Sequence, residues 1–369
     1  MAISTPKLTI NEVNLRAVKV PMKHPLVTKV VTIETAPLLL IDLVTEEGIT
    51  GHAYLFGYLQ NGADYLAPLV RGIATMCKGD AIEPAALFAK TRKGLTLMGH
   101  EGLSLMAISG FDMACWDALS KAANQPLAEM LGGQVGPVAA YNSNGLGLKD
   151  PNALADEAVA LVENGGFSMI KLRLGRDTWA DDLAAVRSVR AAIGDEILLP
   201  VDFNQCLDVE EALHRCRALD DEGIYWIEEP IIYDDLAGSA RIADEVTTPI
   251  QIGENFYGPK DLVRALDAGA CDYVMPDVER IGGVTGWLQA AAIADEAGIQ
   301  MSSHLLPEIS AHLMAVTPSA HWLEYVDWAN PILAEPMAVV DSHVIIPDHP
   351  GTGIAWNEDA VAEYQIDLG

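Results

Sequence analysis

Short apolar segments recur through the last two thirds of the chain and alternate with segments of helical period. Eight such segments, from VAAYNS at residue 138 to HWLEYV at residue 321, are continuously apolar rather than alternating. This pattern is typical of parallel strands that are covered on both faces. The stretches between them place apolar residues at helical spacing, as Leu183, Val186 and Val189 do before Gly194. A strand–helix unit repeated around a closed parallel barrel is therefore the predicted fold.

The first third of the chain has a different pattern. Segments 7–20, 37–45 and 48–56 are predicted strands, and helical periodicity follows over 62–77, 84–92 and 103–122. Strands followed by helices predict an α+β domain, which we place at residues 1–135. The barrel is then expected over residues 136–334. The Pro- and Gly-rich segment 335–369 is expected to leave the barrel and pack back on the first domain.

Composition and charge limit the kinds of molecule that the protein is expected to bind. A chain with 50% hydrophobic and 20% charged residues is an ordinary globular protein. Its 52 acidic and 23 basic residues give a formal charge of −29, which repels phosphate backbones, so nucleic acid is not an expected partner. Five widely spaced cysteines favour a reducing cytosol over a disulfide framework or a zinc site. Without an amino-terminal signal core or a long apolar run, we expect a cytoplasmic location and no membrane partner.

Four acidic residues and one histidine each follow an apolar segment of the predicted barrel. Asp202, Glu228, Glu254, Asp277 and His304 lie 23 to 27 residues apart, which is about the length of one strand–helix unit. Because the carboxyl ends of barrel strands share one face, these side chains should meet there. Three carboxylates on adjacent strands repel each other unless a divalent cation lies between them. The oxygen ligands of Asp202, Glu228 and Glu254 favour Mg²⁺, or Mn²⁺, over zinc.

Two pairs of neighbouring residues bear on this site. Glu229 directly follows Glu228, and only one of them is expected to face the barrel because side chains alternate along a strand. The periodicity does not decide between them. Lys171 and Arg173 lie two positions apart in IKLRL, so both should point into the barrel mouth, opposite the carboxylates.

The histidine and the remaining acids suggest proton transfer. Asp277 ends the strand next to His304, and a hydrogen bond between them would raise the basicity of the other ring nitrogen, as a general base requires. Glu324, in HWLEY on the eighth strand, would donate a hydrogen bond to an oxyanion if it stays protonated. With Lys171 and a metal ion, these groups suit removal of a proton next to a carboxylate and stabilisation of the resulting enediolate.

Several motifs resemble the mandelate racemase/muconate lactonizing enzyme family of the enolase superfamily, with the mandelate racemase group as the nearest match. They include VDFNQ, WIEEP, IGENFYGP, MSSHL and AHWLE, and the resemblance covers nearly the whole chain. It implies an α/β fold, a modified TIM barrel of (β/α)7β type with an amino-terminal α+β capping domain. It also implies Mg²⁺, a small-molecule carboxylate substrate and a homo-oligomer, of which an octamer is one form.

The resemblance also implies roles for individual residues. It assigns the metal ion to Asp202, Glu228 and Glu254, and so favours Glu228 over Glu229. Lys171 would contact the substrate carboxylate, the His304–Asp277 pair would be the base, and Glu324 would be the electrophilic acid. Secondary polar contacts are implied for Ser143 and Asn204.

Arg173 departs from the family pattern. The racemase has a second lysine at this position, which serves as the base for the opposite enantiomer. An arginine side chain stays protonated at neutral pH, so it makes a poor base. A one-base reaction through His304 remains chemically possible, and dehydration of an acid sugar is one such reaction.

The residues implied for the family's specificity loop favour a different substrate. Most of them are apolar, and an acid sugar would leave hydroxyl groups unpaired there at a cost of about 1–3 kcal/mol each. The implied substrate-binding residues are Leu26, Thr28, Val30 and Ile33, with Phe56 and Tyr58 beside them. The first hypothesis is therefore a mandelate racemase-like isomerase acting on an apolar or aromatic 2-hydroxy acid. The alternatives are an acid-sugar dehydratase, which is a lyase, and a binding protein that keeps the fold without turnover.

Overall fold

A computed structural model of the chain describes residues 7–368. Gly369 and residues 1–6, part of the segment in which no signal core is expected, lie outside this range. The chain begins with three antiparallel strands joined by hairpins: β1 (Ile10–Val27), β2 (Thr32–Thr45) and β3 (Thr50–Phe56). Gly48 takes a φ of +83° in the tight turn between β2 and β3, a conformation that glycine adopts without strain.

Four helices follow the three strands; the first three match the predicted helical segments, and the short fourth helix was not predicted. They are α1 (Gly62–Cys77), α2 (Pro84–Gly94), α3 (Leu103–Ala122) and α4 (Leu127–Met130). Helix α3 packs closely on the sheet at Gly51 of β3. A side chain would not fit at this position, because its Cβ would lie only 2.0 Å from the Ala114 carbonyl oxygen. Nearly all of α3 is buried, and Asp112 on this helix accepts hydrogen bonds from the backbone and hydroxyl of Thr285 in the barrel. Helix α3 therefore joins the two parts of the molecule.

Eight parallel strands form the barrel, which confirms the predicted architecture. They are β4 (Pro137–Asn142), β5 (Leu172–Arg173), β6 (Val201–Asp202), β7 (Ile227–Glu228), β8 (Ile250–Ile252), β9 (Tyr273–Val274), β10 (Gln300–Met301) and β11 (Leu323–Tyr325). Strands β5 to β10 form one ladder, and β11 pairs with β4. Single parallel bridges from Asn142 to Ile170 and from Met301 to Ala320 close the ring.

Helices fill all seven connections between these strands, which gives the expected (β/α)7β order. They are α5 (Pro151–Glu163), α6 (Trp179–Ile193), α7 (Val209–Leu219), α8 (Leu236–Glu245), α9 (Pro259–Ala268), α10 (Val278–Ile281) with α11 (Gly283–Ala297), and α12 (Pro307–Met314). Polar side chains cap the beginnings of five of these helices. The side chain of Asp208, for example, accepts a hydrogen bond from the backbone of Glu211 at the start of α7.

The carboxyl-terminal segment contacts both parts of the molecule. After a 3₁₀ turn at Asn330–Ile332, β12 (Val339–Val340) and β13 (His343–Ile345) form a hairpin, and β13 pairs antiparallel with β4 of the barrel. Helix α13 (Glu358–Tyr364) then leads to β14 (Gln365–Ile366), which pairs with β1. The expected return to the first domain thus describes the end of the segment, whereas its start pairs with the beginning of β4 in the barrel. The domain limits at 135 and 335 stay predictions.

One apolar core runs through the first sheet, α3 and the barrel wall. A second, smaller cluster of Tyr141, Met169 and Trp226 fills the interior of the barrel. Over residues 7–368, no helix has the length and apolar character needed to cross a membrane.

Candidate active site

A cavity of about 490 Å³ lies between the carboxyl ends of the barrel strands and the hairpin that joins β1 to β2. Most of the residues predicted for the site line this cavity: Lys171, Arg173, Asp202, Asn204, Glu254, His304 and Glu324 from the barrel, and Leu26, Thr28, Val30, Ile33, Phe56 and Tyr58 from the first domain. The other three predicted residues lie behind them. Ser143 contacts Arg173, Glu228 contacts Lys171, and Asp277 contacts His304.

The β6–β7 ladder sets the positions of the first two carboxylates. Asp202 and Glu228 are paired in register at the carboxyl ends of β6 and β7. Their backbones therefore lie at the same height along the barrel. The oxygens of Asp202 accept hydrogen bonds from the backbone and side-chain nitrogens of Asn204 at 2.7 and 2.8 Å. Asn204 reaches back in this way because its φ of +46° bends the chain as it leaves the strand.

Lys171 lies at the centre of the acidic cluster. Its Nζ is 2.6 Å from Glu228 Oε1, 2.7 Å from Glu324 Oε1 and 3.4 Å from Asp202 Oδ2. Burial, together with the charges of Asp202 and Glu324, outweighs Lys171 and raises the pKa of Glu228 to about 8. Burial also acts to raise the pKa of Glu324, but the charges of Lys171 and His304 outweigh it and hold this pKa below the ordinary value. Glu324 is therefore ionised in this arrangement.

Both neighbouring glutamates enter the cluster, so the expectation that only one would do so is wrong. Glu229 has a φ of +38°, which ends the alternation of the strand directly after Glu228. Its Oε2 accepts a hydrogen bond of 2.6 Å from Gln205 Nε2, whereas its buried Oε1 has no partner. Burial, followed by the charges of Glu254, Asp202 and Glu228, raises the pKa of Glu229 well above its usual range.

His304 and Asp277 form the predicted pair. His304 Nδ1 lies 2.6 Å from Asp277 Oδ2, and an ionised carboxylate can only accept, so Nδ1 carries the proton. The other nitrogen, Nε2, faces the cavity at 3.2 Å from Glu254 Oε2. Burial opposes a charge on His304, but Glu254, Glu324 and Asp277 together raise its pKa to about 10. The ring thus has the orientation of a proton acceptor, but in this arrangement Nε2 is protonated at neutral pH, and it would become a free acceptor only once a bound cation offsets the charge of Glu254.

The cluster holds more acid than base. Three permanent cations, Lys171, Arg173 and Arg280, face six carboxylates: Asp202, Glu228, Glu229, Glu254, Asp277 and Glu324. This excess and the unpartnered Oε1 of Glu229 fit a hard divalent cation bound through oxygen. Across residues 7–368, however, no three acidic, histidine or cysteine side chains converge closely enough to form a metal site as they stand. Lys171 contacts Asp202 and Glu228, while His304 contacts Glu254, so the three predicted ligands are held apart.

Arg173 is fixed to the loop after β4. Its Nη1 donates to the Gly145 carbonyl at 2.8 Å, and its Nη2 donates to the carbonyl and hydroxyl of Ser143 at 3.1 and 3.2 Å. Ser143 is therefore a partner of Arg173 and does not line the cavity. The guanidinium group is held in place by neutral oxygens.

Sequence reasoning missed several cavity residues. They are Val31, Leu59, Gln205, Ile232, Asn255, Arg280, Leu305 and Trp328. Arg280 stands out because its guanidinium group lies 4.2 Å from the centre of the Tyr58 ring and donates to Asn255 Oδ1 at 2.7 Å. The sequence contains one indication that Arg280 belongs to the site. It lies three residues, about one helical turn, after the predicted site residue Asp277.

The fold and the site define a capped parallel-barrel protein of the enolase type. Residues 10–132 match the family model for the mandelate racemase/muconate lactonizing enzyme amino-terminal domain, and residues 153–360 match the enolase carboxyl-terminal domain-like model. The chain belongs to the mandelate racemase/muconate lactonizing enzyme family of the enolase superfamily, as the motifs suggested.

Similar solved structures cover nearly the whole chain. A magnesium-bound enolase from the alpha proteobacterium bal199 is 50% identical, with a TM-score of 0.95 over 97% of this chain and 100% of its own. An enolase from Bradyrhizobium, complexed with magnesium and mandelic acid, is 43% identical, with a TM-score of 0.94 over 98% of this chain and 99% of its own.

Relatives of known activity fall into three reaction classes. The L-talarate/galactarate dehydratase of Salmonella typhimurium is 30% identical over 95% of this chain and 90% of its own length. Other relatives are sugar-acid dehydratases, cycloisomerases, and racemases or epimerases. The relatives with known activities are thus enzymes of the enolase superfamily, although they do not share one reaction.

Proposed function

We propose that this protein is a Mg²⁺-dependent dehydratase of a 2,3-dihydroxy carboxylic acid, with His304 as its only base. The observation that carries this proposal is the state of Arg173, whose guanidinium group is held by the Ser143 and Gly145 oxygens and stays protonated. A two-base racemisation needs a second proton acceptor on the face opposite His304. A reaction with one base does not.

Asp202, Glu228 and Glu254 would hold the Mg²⁺ ion, after Lys171 turns from the first two of them toward the substrate. The ion supplies Lewis-acid stabilisation of the negative charge that develops on the substrate carboxylate. Similar structures that hold magnesium support this assignment. The excess of buried carboxylates in the cluster supports it independently.

The side chains of this chain would perform the proton transfers. His304 Nε2 takes the α-proton, and Asp277 keeps the ring oriented and stabilises the imidazolium that forms. Lys171 binds the substrate carboxylate as an enediolate forms, and Glu324, once Lys171 has turned away from it, regains a proton and donates a hydrogen bond. The electron pair of the enediolate C1–C2 double bond then forms the C2–C3 double bond, the carboxylate is restored, and the C3–O bond breaks. His304 returns its proton to the departing hydroxide, which leaves as water, and the enol tautomerises to a 2-keto acid.

Racemisation of an apolar or aromatic 2-hydroxy acid is the second candidate. Two observations favour it. The first domain contributes mainly apolar side chains to the cavity, among them Leu26, Val30 and Ile33. The Bradyrhizobium relative was solved with mandelic acid. The homo-oligomeric state, with an octamer as one form, and the cytoplasmic location stay predictions.

One experiment separates the two reactions. The protein is incubated with Mg²⁺ in D₂O with both enantiomers of mandelate and with a panel of hexonates and hexarates. The α-proton signal and the 2-keto product are followed by NMR. The proposal expects 2-keto product from at least one dihydroxy acid and no interconversion of mandelate enantiomers. Interconversion of the two enantiomers would establish the second candidate, and a panel without any product or exchange would refute both.

A further inference from the structure

Tyr58 has an unfavourable backbone conformation at the wall of the cavity. It lies in the segment that follows β3, and its φ of +56° falls in the left-handed region. A bulky residue rarely adopts this region, because its Cβ comes too close to the following carbonyl oxygen. Such a conformation persists only where the surrounding contacts fix it, and it is frequent at functional sites. The contacts of the Tyr58 side chain therefore indicate its role.

Two polar contacts fix the Tyr58 side chain. The guanidinium carbon of Arg280 lies 4.2 Å from the centre of the ring, and the hydroxyl donates to Asp277 Oδ2 at 3.2 Å. The same Oδ2 lies 2.6 Å from His304 Nδ1. The tyrosine thus bridges a buried cation and the carboxylate that orients the proposed base.

Arg280 is itself anchored to the barrel. The residue lies in α10 and is 6% exposed. Its Nη1 donates to Asn255 Oδ1 at 2.7 Å and to the Glu254 carbonyl at 3.1 Å, and its own carbonyl accepts from the Gly258 N–H at 3.2 Å. These three contacts fix Arg280 to the loop after β8. The contact with Tyr58 therefore joins a fixed point of the barrel to the first domain.

The two contacts of Tyr58 differ in strength. A cation above an aromatic ring contributes most where both groups are removed from water, as they are here. The hydrogen bond to Asp277, at 3.2 Å, is long for a hydroxyl donor and would not by itself offset the unfavourable backbone. We propose that Arg280 is a positioning residue, which holds Tyr58 in place so that its hydroxyl stays on Asp277 and His304 keeps its orientation. This inference rests on the proposed function, in which His304 is the base.

The test is a double-mutant cycle of Arg280→Met and Tyr58→Phe. The second change keeps the ring under the cation and removes only the hydroxyl. The rate of α-proton exchange in D₂O is measured at saturating Mg²⁺ over a range of dihydroxy acid concentrations, which gives kcat and KM. Arg92→Met is the matched control, because the Arg92 guanidinium lies 5.4 Å from the centre of the Phe88 ring and neither residue lines the cavity.

Each single variant should lower kcat about tenfold, the usual effect of one hydrogen bond to a charged group, and should change KM by less than about threefold. The double variant should also lose about tenfold rather than about a hundredfold, because both changes remove the same contact. Arg280→Lys keeps a cation above the ring and should retain kcat within about threefold of the wild type. Arg92→Met should have the kcat of the wild type.

Three results would overturn the inference. A loss of about a hundredfold in the double variant would show that Arg280 and Tyr58 act independently. A raised KM with an unchanged kcat in Arg280→Met would make Arg280 a substrate contact. Unchanged kcat and KM in that variant would leave Arg280 without a role in the reaction. If Arg280→Met does not fold, the same cycle is measured with Arg280→Gln, which has no charge but can still donate to the Glu254 carbonyl, and the same results decide.

A second measurement needs no substrate. Backbone hydrogen exchange of residues 57–62, followed by mass spectrometry, reports how firmly this segment is held, and its Leu59 N–H donates to the Gly57 carbonyl at 2.6 Å. Exchange should be about three- to fivefold faster in Arg280→Met than in the wild type or Arg92→Met. Faster exchange, together with a wild type that turns over no acid, would refute the proposed function alone. Turnover by the wild type, with unchanged exchange in Arg280→Met, would refute only the role of Arg280.

Discussion

Replacement of Asp277 by asparagine tests whether the orientation of His304 is essential. Three donors converge on this carboxylate: His304 Nδ1 at 2.6 Å, the backbone nitrogen of Glu279 at 2.7 Å and the Tyr58 hydroxyl at 3.2 Å. An asparagine offers one accepting oxygen and one donating amide group. The backbone N–H of Glu279 cannot turn away, so the oxygen stays with it and the amide group faces the histidine. Nδ1 must then accept, which moves the ring proton to Nε2.

The tautomer change removes the lone pair that would take the α-proton. A comparable aspartate-to-asparagine change in a serine protease triad lowers the rate about 10⁴-fold, and we expect a loss of 10³- to 10⁴-fold here. This corresponds to about 4–5.5 kcal/mol in the barrier. The free energy of unfolding should change less, by about 1–3 kcal/mol, because one charge-assisted acceptor is replaced.

The assay is the rate of α-proton exchange in D₂O with Mg²⁺ and a dihydroxy acid that the wild type turns over, with thermal melting to confirm folding. Asp112→Asn is the matched control, because Asp112 is also a buried acceptor, bound to the backbone and hydroxyl of Thr285. Burial raises the pKa of Asp112 to about 7, so an amide is a close substitute and activity should persist. Exchange by folded Asp277→Asn within about tenfold of the wild type would refute the role given to the pair.

Three further predictions concern stability and metal binding. Gly283 and Gly298 have φ values of +68° and +67°, but a Cβ at Gly283 would lie 2.6 Å from the Asp112 carboxylate, whereas nothing lies within 4 Å at Gly298. In urea denaturation, Gly298→Ala should lower the free energy of unfolding by about 1–2 kcal/mol, and Gly283→Ala should lower it clearly more. Equal decreases for the two variants would contradict the packing argument. Burial lowers the pKa of His312 from 6.5 to about 4, so its contribution to stability is complete above pH 6.5 and is lost as the pH falls toward 4. Between pH 7 and 4.5, the melting temperature of His312→Gln should fall less than that of the wild type. An equal fall in both proteins would contradict this role of His312. Mg²⁺ at about 100 times its dissociation constant should stabilise the wild type by about 2.7 kcal/mol, and Glu254→Ala should abolish that shift in melting temperature at the same concentration. An undiminished shift would remove Glu254 from the ligand set.

The barrel was predictable from sequence because one strand–helix unit repeats with a nearly constant length. Each unit ends its strand at the same face, so residues far apart in the chain, such as Asp202 and His304 at a separation of 102 positions, are predicted to lie together. The spacing fixes which residues meet. It does not determine which of their side chains are ionised or which of them form ion pairs.

The details that escaped prediction depend on local backbone bends and on contacts between domains. Glu229 joins the cluster because its φ of +38° breaks the strand, and no periodicity encodes that bend. The carboxyl-terminal segment pairs with the first half of β4, residues 137–139, before it reaches β1, and the preceding pattern does not reveal this contact. The partners of Arg173 are backbone carbonyls of a loop, which residue types alone cannot identify.

The end of β3 connects the first domain to the proton-transfer residues. The backbone nitrogen of Phe56 donates to Glu279 at 2.8 Å, and the Tyr58 hydroxyl donates to the same Asp277 oxygen that holds His304. Glu279 in turn donates its own backbone N–H to Asp277. The first domain therefore contributes both the apolar wall of the cavity and two of the contacts that fix the base. In the proposed function, one part of this segment limits substrate size and another orients the base, so a change that admits a new substrate would also disturb the contacts of His304. This coupling gives a physical reason why the cap and the barrel must be altered together.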